Sequence, residues 1–376
     1  AALSQASLAF FPDTIGELCA RLPGLSEGEQ VILISALSSY PGDAVVTSLV
    51  DAAKSPSEAV RLAAWQALST TGGASVVPFL ADAAASARGR EQSAIRAALG
   101  SLKGRAIDDA IVALLEKEPP DAIRGELMLA AGERRTFQAR PLVADALASE
   151  VEPVRLQALR ALRAIGTPSD VDAVLDVLLA ADGDTERAEA EKTAAELAGM
   201  SASPVGRART VRSRFTEAES TAGRVRLLGL LGLVDDPASL PLLRTGLASG
   251  DGEIVDAAAR AILAWPTSDA RDDIIALARN SRNETHRLLA IGALVRVVGL
   301  DRYRNPQAAV SDLRLAAELS WRPEEQKLVL GALPQFPCRE ALDLATGFLR
   351  EDATREEAQA AIRRITERLP KEAIRQ

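Results

Sequence analysis

Few side chains in this sequence are of a type that does chemistry. His286 is the only histidine. A Ser-His-Asp or Cys-His arrangement would have to use it, and nothing beside it in the chain supplies a nucleophile. It occupies the slot that Val60, Val154, Val225 and Val255 hold in similar segments, which predicts a core-facing imidazole with a local partner. Cys19 and Cys338 lie far apart and form neither a metal-binding nor a redox spacing. One histidine and no cysteine pair exclude a multi-histidine metal centre, so no metal or other cofactor is expected. Acidic pairs are more common: Asp108-Asp109, Asp182 with Asp184, Asp235-Asp236, Asp272-Asp273 and Glu324-Glu325. Each falls where a helix should start or a turn should lie, and carboxylates there cap free N–H groups and complement the helix dipole. A glycosidase-type pair would need two of them across one cleft. Glycine-rich phosphate loops and dinucleotide fingerprints are absent.

Cationic residues recur with a period. Aligning Glu58–Leu68 with Glu152–Leu162 on Arg61 and Arg155 places equivalent slots at Gln30, Arg61, Gln92, Arg124, Arg155, Arg187, Arg226, Asp256, Arg287 and Lys327. Successive steps are 31, 31, 32, 31, 32, 39, 30, 31 and 40 residues. Arg61, Arg124, Arg155, Arg187, Arg226, Arg287 and Lys327 should therefore line one face as a ladder, interrupted by Asp256. Two readings follow. Each guanidinium can bond an acidic or carbonyl group of its own or the adjacent repeat, which its planar fork suits. Alternatively, the ladder forms a concave cationic stripe that receives an acidic peptide or another anion. A second basic patch comprises Arg207, Arg209, Arg212 and Arg214, with 207 and 214 expected on one helix face. It is either a solvated helix paired to Glu217 and Glu219 or a docking point for an anionic group.

The elements that position these residues are helices. From the residue before the anchor, apolar positions run i, i+3, i+4, i+7, i+8: Val60, Ala63, Ala64, Ala67 and Leu68 in one repeat, Val255, Ala258, Ala259, Ile262 and Leu263 in another. That spacing draws one apolar stripe along a helix. A partner helix precedes each, as in Val45, Val46, Leu49, Val50 and Ala53, or Val171, Val174, Leu175 and Leu178. Thr167-Pro168 and Asp236-Pro237 set a capping residue before a proline in a first turn, and Pro153 and Pro323 open second helices. Gly42, Gly72-Gly73, Gly104, Gly166 and Gly252 fall in the connections, where left-handed backbone is tolerated. The unit is helix, turn, helix, turn in roughly 31 residues, with insertions near 201–222 and 298–322. One pair cannot bury its own apolar face, so the pairs must stack. The expectation is an all-α, right-handed α-α superhelix of about eleven helix pairs, spanning 12–369, with terminal segments 1–11 and 370–376 and the whole chain 1–376 as a single domain.

Composition agrees. Of 376 residues, 47% are hydrophobic, 26% charged and only 3% aromatic. Alanine and leucine favour close-packed helices, and scarce aromatics disfavour base-stacking platforms. Lys+Arg is 44 against Asp+Glu 52, a net charge of −8, which argues against nucleic acid or an acidic membrane surface as a partner. No apolar run reaches the roughly 20 residues needed to cross a bilayer. The chain starts at Ala1 without methionine, which suggests a processed or excised piece.

A proline-led first helix followed by Val-Arg opening the second, with Ala-Ala-x-x-Ala-Leu behind it, resembles the HEAT-repeat superfamily. A narrower likeness lies in Asp256–Pro266, Asn283–Ala290 and Arg322–Leu330. It is similar to HEAT regions of bacterial exported multidomain proteins, in which the solenoid accompanies sugar-active or c-type cytochrome domains. The resemblance implies an extracytoplasmic location, with the cytoplasm as the alternative. The functional expectation is a non-catalytic protein–protein interaction scaffold presenting an elongated curved helical surface to a protein or neighbouring domain. The alternative is an accessory region of an exported carbohydrate-active or redox enzyme. A third reading, a HEAT-type glycosylase acting on nucleic acid, would want a basic patch with a catalytic acid and grouped tryptophans. Trp65, Trp265 and Trp321 do not group in sequence, and each reads as packing.

Overall fold

The computed structural model describes residues 12–300 and 305–369, so the terminal segments 1–11 and 370–376 lie outside the described residues. Twenty-two α-helices and no strand occur among the described residues. They alternate as first and second members of pairs. In chain order they are α1 (Pro12–Arg21), α2 (Glu27–Leu37), α3 (Asp43–Ala52), α4 (Glu58–Thr71), α5 (Val77–Ser86), α6 (Gly89–Ser101), α7 (Arg105–Leu115), α8 (Asp121–Arg134), α9 (Arg140–Asp145), α10 (Glu152–Ile165) and α11 (Val171–Ala180). There follow α12 (Asp184–Gly199), α13 (Arg209–Glu217), α14 (Thr221–Leu233), α15 (Leu240–Leu247), α16 (Gly252–Ala264), α17 (Arg271–Asn280), α18 (Glu284–Leu300), α19 (Pro306–Leu319), α20 (Pro323–Ala332), α21 (Arg339–Gly347) and α22 (Arg355–Arg368). Odd numbers are first helices and even numbers second helices. The chain divides into two compact units, residues 1–197 and 198–376, the division falling at the end of α12.

In the first unit, most of the stripe read from sequence is the core, though Val46, Val50 and Ala63 are only half-buried. Val60, Ala64, Ala67 and Leu68 of α4 are buried, as are Val154, Ala158, Leu159 and Leu162 of α10 and Val171, Val174, Leu175 and Leu178 of α11. Burying one such aliphatic side chain is worth about 1.5–3 kcal/mol, so each stripe holds its helix against its neighbours. The second unit repeats the device: Ala258, Ala259 and Ile262 of α16 and Leu294, Val297 and Val298 of α18 are buried. Second helices stack on second helices, α4 on α6, α8 on α10, and, in the second unit, α14 on α16.

The connections show where local reading was incomplete. Thr167 caps a 3-10 turn, Pro168–Asp170, in a reciprocal capping box, and α11 begins only at Val171. Asp236 likewise caps the 3-10 turn Pro237–Ser239 ahead of α15. The tight turn lets proline lead while the α-helix starts three residues later. Gly104 does take a positive φ, +110°. Gly72 and Gly166 do not: their φ values are −66° and −76°. Glycine is required there because a Cβ would come within 2.6 Å of the Leu68 carbonyl oxygen and 2.5 Å of that of Leu162. Gly252 is the first residue of α16 and not part of a loop.

Candidate functional site

Gln30, Arg61, Gln92, Arg124, Arg155, Arg187 and Arg287 all fall fourth in their second helices, as the spacing predicted. Three slots are out of register. The fourth residue of α14 is Arg224, not Arg226; that of α16 is Val255, not Asp256; that of α20 is Gln326, not Lys327. The insertions before α14 and α20 displaced the alignment by one or two residues.

At the fourth position the arginine reaches back to the carbonyl that ends the preceding turn. Arg61 donates to Ser55 O (3.0 Å), Arg155 to Ser149 O (2.8 Å), Arg224 to Ala218 O (2.9 Å) and Arg287 to Ser281 O (3.5 Å). The same guanidinium can also grip the next repeat. Arg61 forks onto Glu91 through Nε (2.7 Å) and Nη2 (2.9 Å), and Arg155 onto Glu186 at 2.5 and 3.0 Å. Both carboxylates are third in their helices, one position before the following slot. The Arg61 guanidinium holds the Glu91 carboxyl below the usual carboxylate range. Arg187 turns instead to Asp184 and Asp182 O in its own helix entry. Lys327 pairs with Glu357 at 2.9 Å. Arg124 has no side-chain bond or ion pair among the described residues. Three members of the ladder, Arg61, Arg155 and Lys327, thus join neighbouring repeats.

The second patch does not form a cationic helix face. Arg207 precedes α13 in a turn, where it donates to Ser201 O (3.1 Å) and lies 3.6 Å from Asp235. Arg212 bonds Asp236, and Arg209 is exposed. Arg214 and Arg226 are not free either. Asp236 is fully buried. Burial raises its pKa, but the amides of Ala208 and Ala238 and the Arg212 guanidinium outweigh that, so it lies below the usual range.

Sequence reading missed a parallel set of pairs. On second helices, Arg96 of α6 forks onto the buried Glu126 of α8 (2.7 and 2.6 Å). On first helices, Arg140 forks onto Asp170 (2.8 and 2.7 Å), Arg244 onto Asp273 (2.7 and 2.9 Å), and Arg271 bonds Asp312 (2.6 Å at Nε). The first three of these pairs are separated by 29 or 30 residues, close to one repeat. An acid one period after an arginine was the signal available. Glu191 has no ion pair among the described residues: it is eighth in α12, where Trp65, Met128 and Leu159 fill the core of other second helices, and burial pushes its carboxyl up.

His286 is buried between α16 and α18 as expected, with Nε2 2.7 Å from Asp256 Oδ1. Ser281 Oγ lies 3.5 Å from its Nδ1, and a hollow of about 480 Å³ adjoins all three residues. The grouping has the members of a hydrolytic triad, but its serine is a turn residue. Ser281 Oγ accepts the amide of Asn283 (3.2 Å), as Ser55 does from Ser57 (3.2 Å), Ser149 from Val151 (3.2 Å) and Ser249 from Asp251 (3.1 Å). The repeat explains this serine without catalysis. Asp256 is held below the usual range first by Arg260, then by His286. Among the described residues no group of three or more His, Cys, Asp or Glu could hold a metal ion.

The first unit has a hollow of about 790 Å³ lined by Cys19, Ala44, Thr47, Ser48 and Ser57, and two smaller ones along its second helices. A hollow of about 510 Å³ between α6, α8 and α10 is floored by Ala97, Ala130, Gly132 and Ala161 and edged by Arg96, Glu133 and Arg160. A second, of about 310 Å³, is bounded by Trp65 and Gln66 of α4 and Arg90, Ala94 and Ala97 of α6. Ala97 lines both, so the two hollows meet at α6 and together border four second helices. Of the three tryptophans, Trp65 and Trp265 are packing residues at 2% and 0% exposure, whereas Trp321 is 59% exposed.

Stacked antiparallel pairs, several with a fourth-position arginine closing the preceding turn, define a helical-repeat protein. Residues 17–100 and 109–195 match the family model for HEAT repeats. Those residues are HEAT repeats, and the described chain has an all-α, HEAT-like α-α superhelical fold. The second unit continues the same pairs beyond the matched residues. No curated protein matches. Among solved structures, the karyopherin Kap121p bound to Nup53p aligns with a TM-score of 0.55 at 12% identity, over 97% of this chain and 47% of that one. Kap121p bound to RanGTP aligns at 0.52 and 12%, over 96% and 46%. The likeness is one of fold, and the chain spans about half the length of these structures. No helix among the described residues is long and apolar enough to cross a membrane.

Proposed function

We propose that this chain is a non-catalytic scaffold that binds a protein partner along the second-helix groove of its first unit. One observation carries the reading: the groove spans α4, α6, α8 and α10 with small side chains on its floor and charged ones on its rim, while most candidate reactive groups are engaged between repeats. A floor of alanine and glycine admits an extended segment close to the helices, and the rim supplies orienting charges. The karyopherin Kap121p, solved bound to Nup53p and to RanGTP, supports the same kind of use for this fold. Photo-crosslinking tests it. A photoreactive residue at Ala97, exposed in the groove, should capture one discrete partner, and the same group at Asp82 on α5 should not. Equal capture from both positions, or none from Ala97, overturns the proposal. The accessory-region reading rests on the resemblance alone; a catalytic domain encoded in the same reading frame would favour it.

A further inference from the structure

The outermost second helices differ in kind. Every exposed residue of α22 is polar or charged, as at Glu356, Arg363 and Glu367. That is the polar outer face a terminal repeat needs. In contrast, α2 carries the run Val31-Ile32-Leu33-Ile34, and a helix apolar on every side is one that is normally covered. Only Ile34 of the four is buried, and Ile32 is 72% exposed.

The later repeats show which face of α2 is open. From α4 to α20 the seventh and tenth residues of each second helix are buried: Ala64 and Ala67 in α4, Ala158 and Ala161 in α10, Ala258 and Ala261 in α16. The tenth residue meets the second helix before it. Ala161 lies against Gly132 of α8 and Ala261 against Gly232 of α14, both glycines being twelfth in their helices. In α2 the seventh residue, Leu33, is only half-buried, and the tenth, Ala36, is exposed. Ile32 and Leu33 stand four and three residues before Ala36, so the three share one helix face. It is the face that other second helices turn to their predecessors.

The chain supplies an occupant in register. A first helix, or the 3-10 turn that leads it, opens thirteen residues after the fourth position of the preceding second helix: Asp43 after Gln30, Arg105 after Gln92, Pro168 after Arg155, Pro237 after Arg224. Pro12 opens α1. Counted back from Pro12 by the same step, Ala2, Leu3, Ala6 and Ser7 hold the seventh, eighth, eleventh and twelfth positions of a second helix. In α10 the first three of those positions are Ala158, Leu159 and Leu162, all buried. At the twelfth, Ser7 would stand opposite Ala36 as Gly132 stands opposite Ala161.

We infer that residues 1–9, which lie outside the described ones, pack as the closing turns of a second helix on Ile32, Leu33 and Ala36, so that α2 is capped from within its own chain. The open face thus takes a helical segment with a small residue opposite Ala36, and the stacking surface of the array continues onto it. The cap needs no part of the groove on α4 to α10.

Disulfide trapping in the intact chain tests this. Ser7→Cys with Ala36→Cys should close a bond within one chain, because a contact this close brings paired Cα atoms into the roughly 4.4–6.8 Å that a disulfide spans. Leu8→Cys with Ala36→Cys, one residue out of register, should close roughly tenfold more slowly. Cys19 and Cys338 are buried and compete little. In hydrogen exchange, the amides of residues 1–9 should be protected at least about tenfold over a free peptide of the same sequence, and Ile32→Asp should remove that protection. Circular dichroism checks that Ile32→Asp keeps its helices, and the trapping does not depend on that variant. Equal trapping rates for Ser7→Cys and Leu8→Cys, unprotected amides in the wild type, or protection that survives Ile32→Asp in a folded chain would each overturn the cap. Trapping between two chains in place of one would overturn it too, by assigning the face to a second copy.

Discussion

At the scale of single residues, the arginine ladder divides into members that hold repeats together and members that do not. Glu186 is 2% exposed and takes the Nε and Nη2 bonds of Arg155. Removing one partner of such a pair strands a buried charge, which costs about 3–5 kcal/mol. Arg155→Ala should therefore lower unfolding free energy in urea by that order, whereas Arg124→Ala should stay within about 0.5 kcal/mol. Comparable losses at both sites would remove the distinction. Asp236 gives a pH signature. Its folded pKa is depressed, so its contribution is fully present above the unfolded value, about pH 4, and is lost as pH falls through the folded value. The stability gap between wild type and Asp236→Asn should be widest near neutral pH and shrink in acid. A gap that does not change with pH would mean the carboxylate's charge is irrelevant.

Among helices, close approach of second helices depends on small residues at matched positions. Gly132 of α8 and Gly232 of α14 are both twelfth in their helices, and a Cβ on either would lie 2.9 or 2.6 Å from the Cα of Ala161 or Ala261. Those alanines are both tenth in the next second helix. Backbone cannot yield as a side-chain tip can, so Gly132→Ala and Gly232→Ala should each destabilise by about 1–3 kcal/mol despite alanine's better helix propensity. A rise in melting temperature for either would show that the helices slide apart at little cost. The groove beside Gly132 exists for the same reason: small side chains that let helices meet also leave hollows above their contacts.

For the molecule as a whole, repeats couple to their neighbours. Arg155→Ala should raise amide exchange in α8 to α12 and leave α16 to α22 unchanged when followed by mass spectrometry. Uniform acceleration along the chain would mean that the repeats unfold as one cooperative body. The locality has a functional side. A face such as that around Trp321 can lack the fork made by Arg61 and Arg155 without loosening distant repeats.

The helix pairs, their number and the core stripe were legible in the residues because a 3.6-residue period and a repeat of about 31 are properties of local sequence. The structural use of the arginines was among the readings, since their spacing equals the repeat. Register past an insertion was not legible: whether Arg224 or Arg226 closes the turn depends on where α14 starts, and Ser220 sets that by capping it. Sequence also gave no sign that Trp321 stands in solvent while Trp265 is sealed, because both stand within two residues of a following proline near a helix end. Tertiary packing decided it, by placing Arg287 against one indole and a complete shell of neighbours around the other. Periodicity fixes which side of a helix faces its partner; only the assembled stack determines which polar groups find each other across a repeat and which are left facing water.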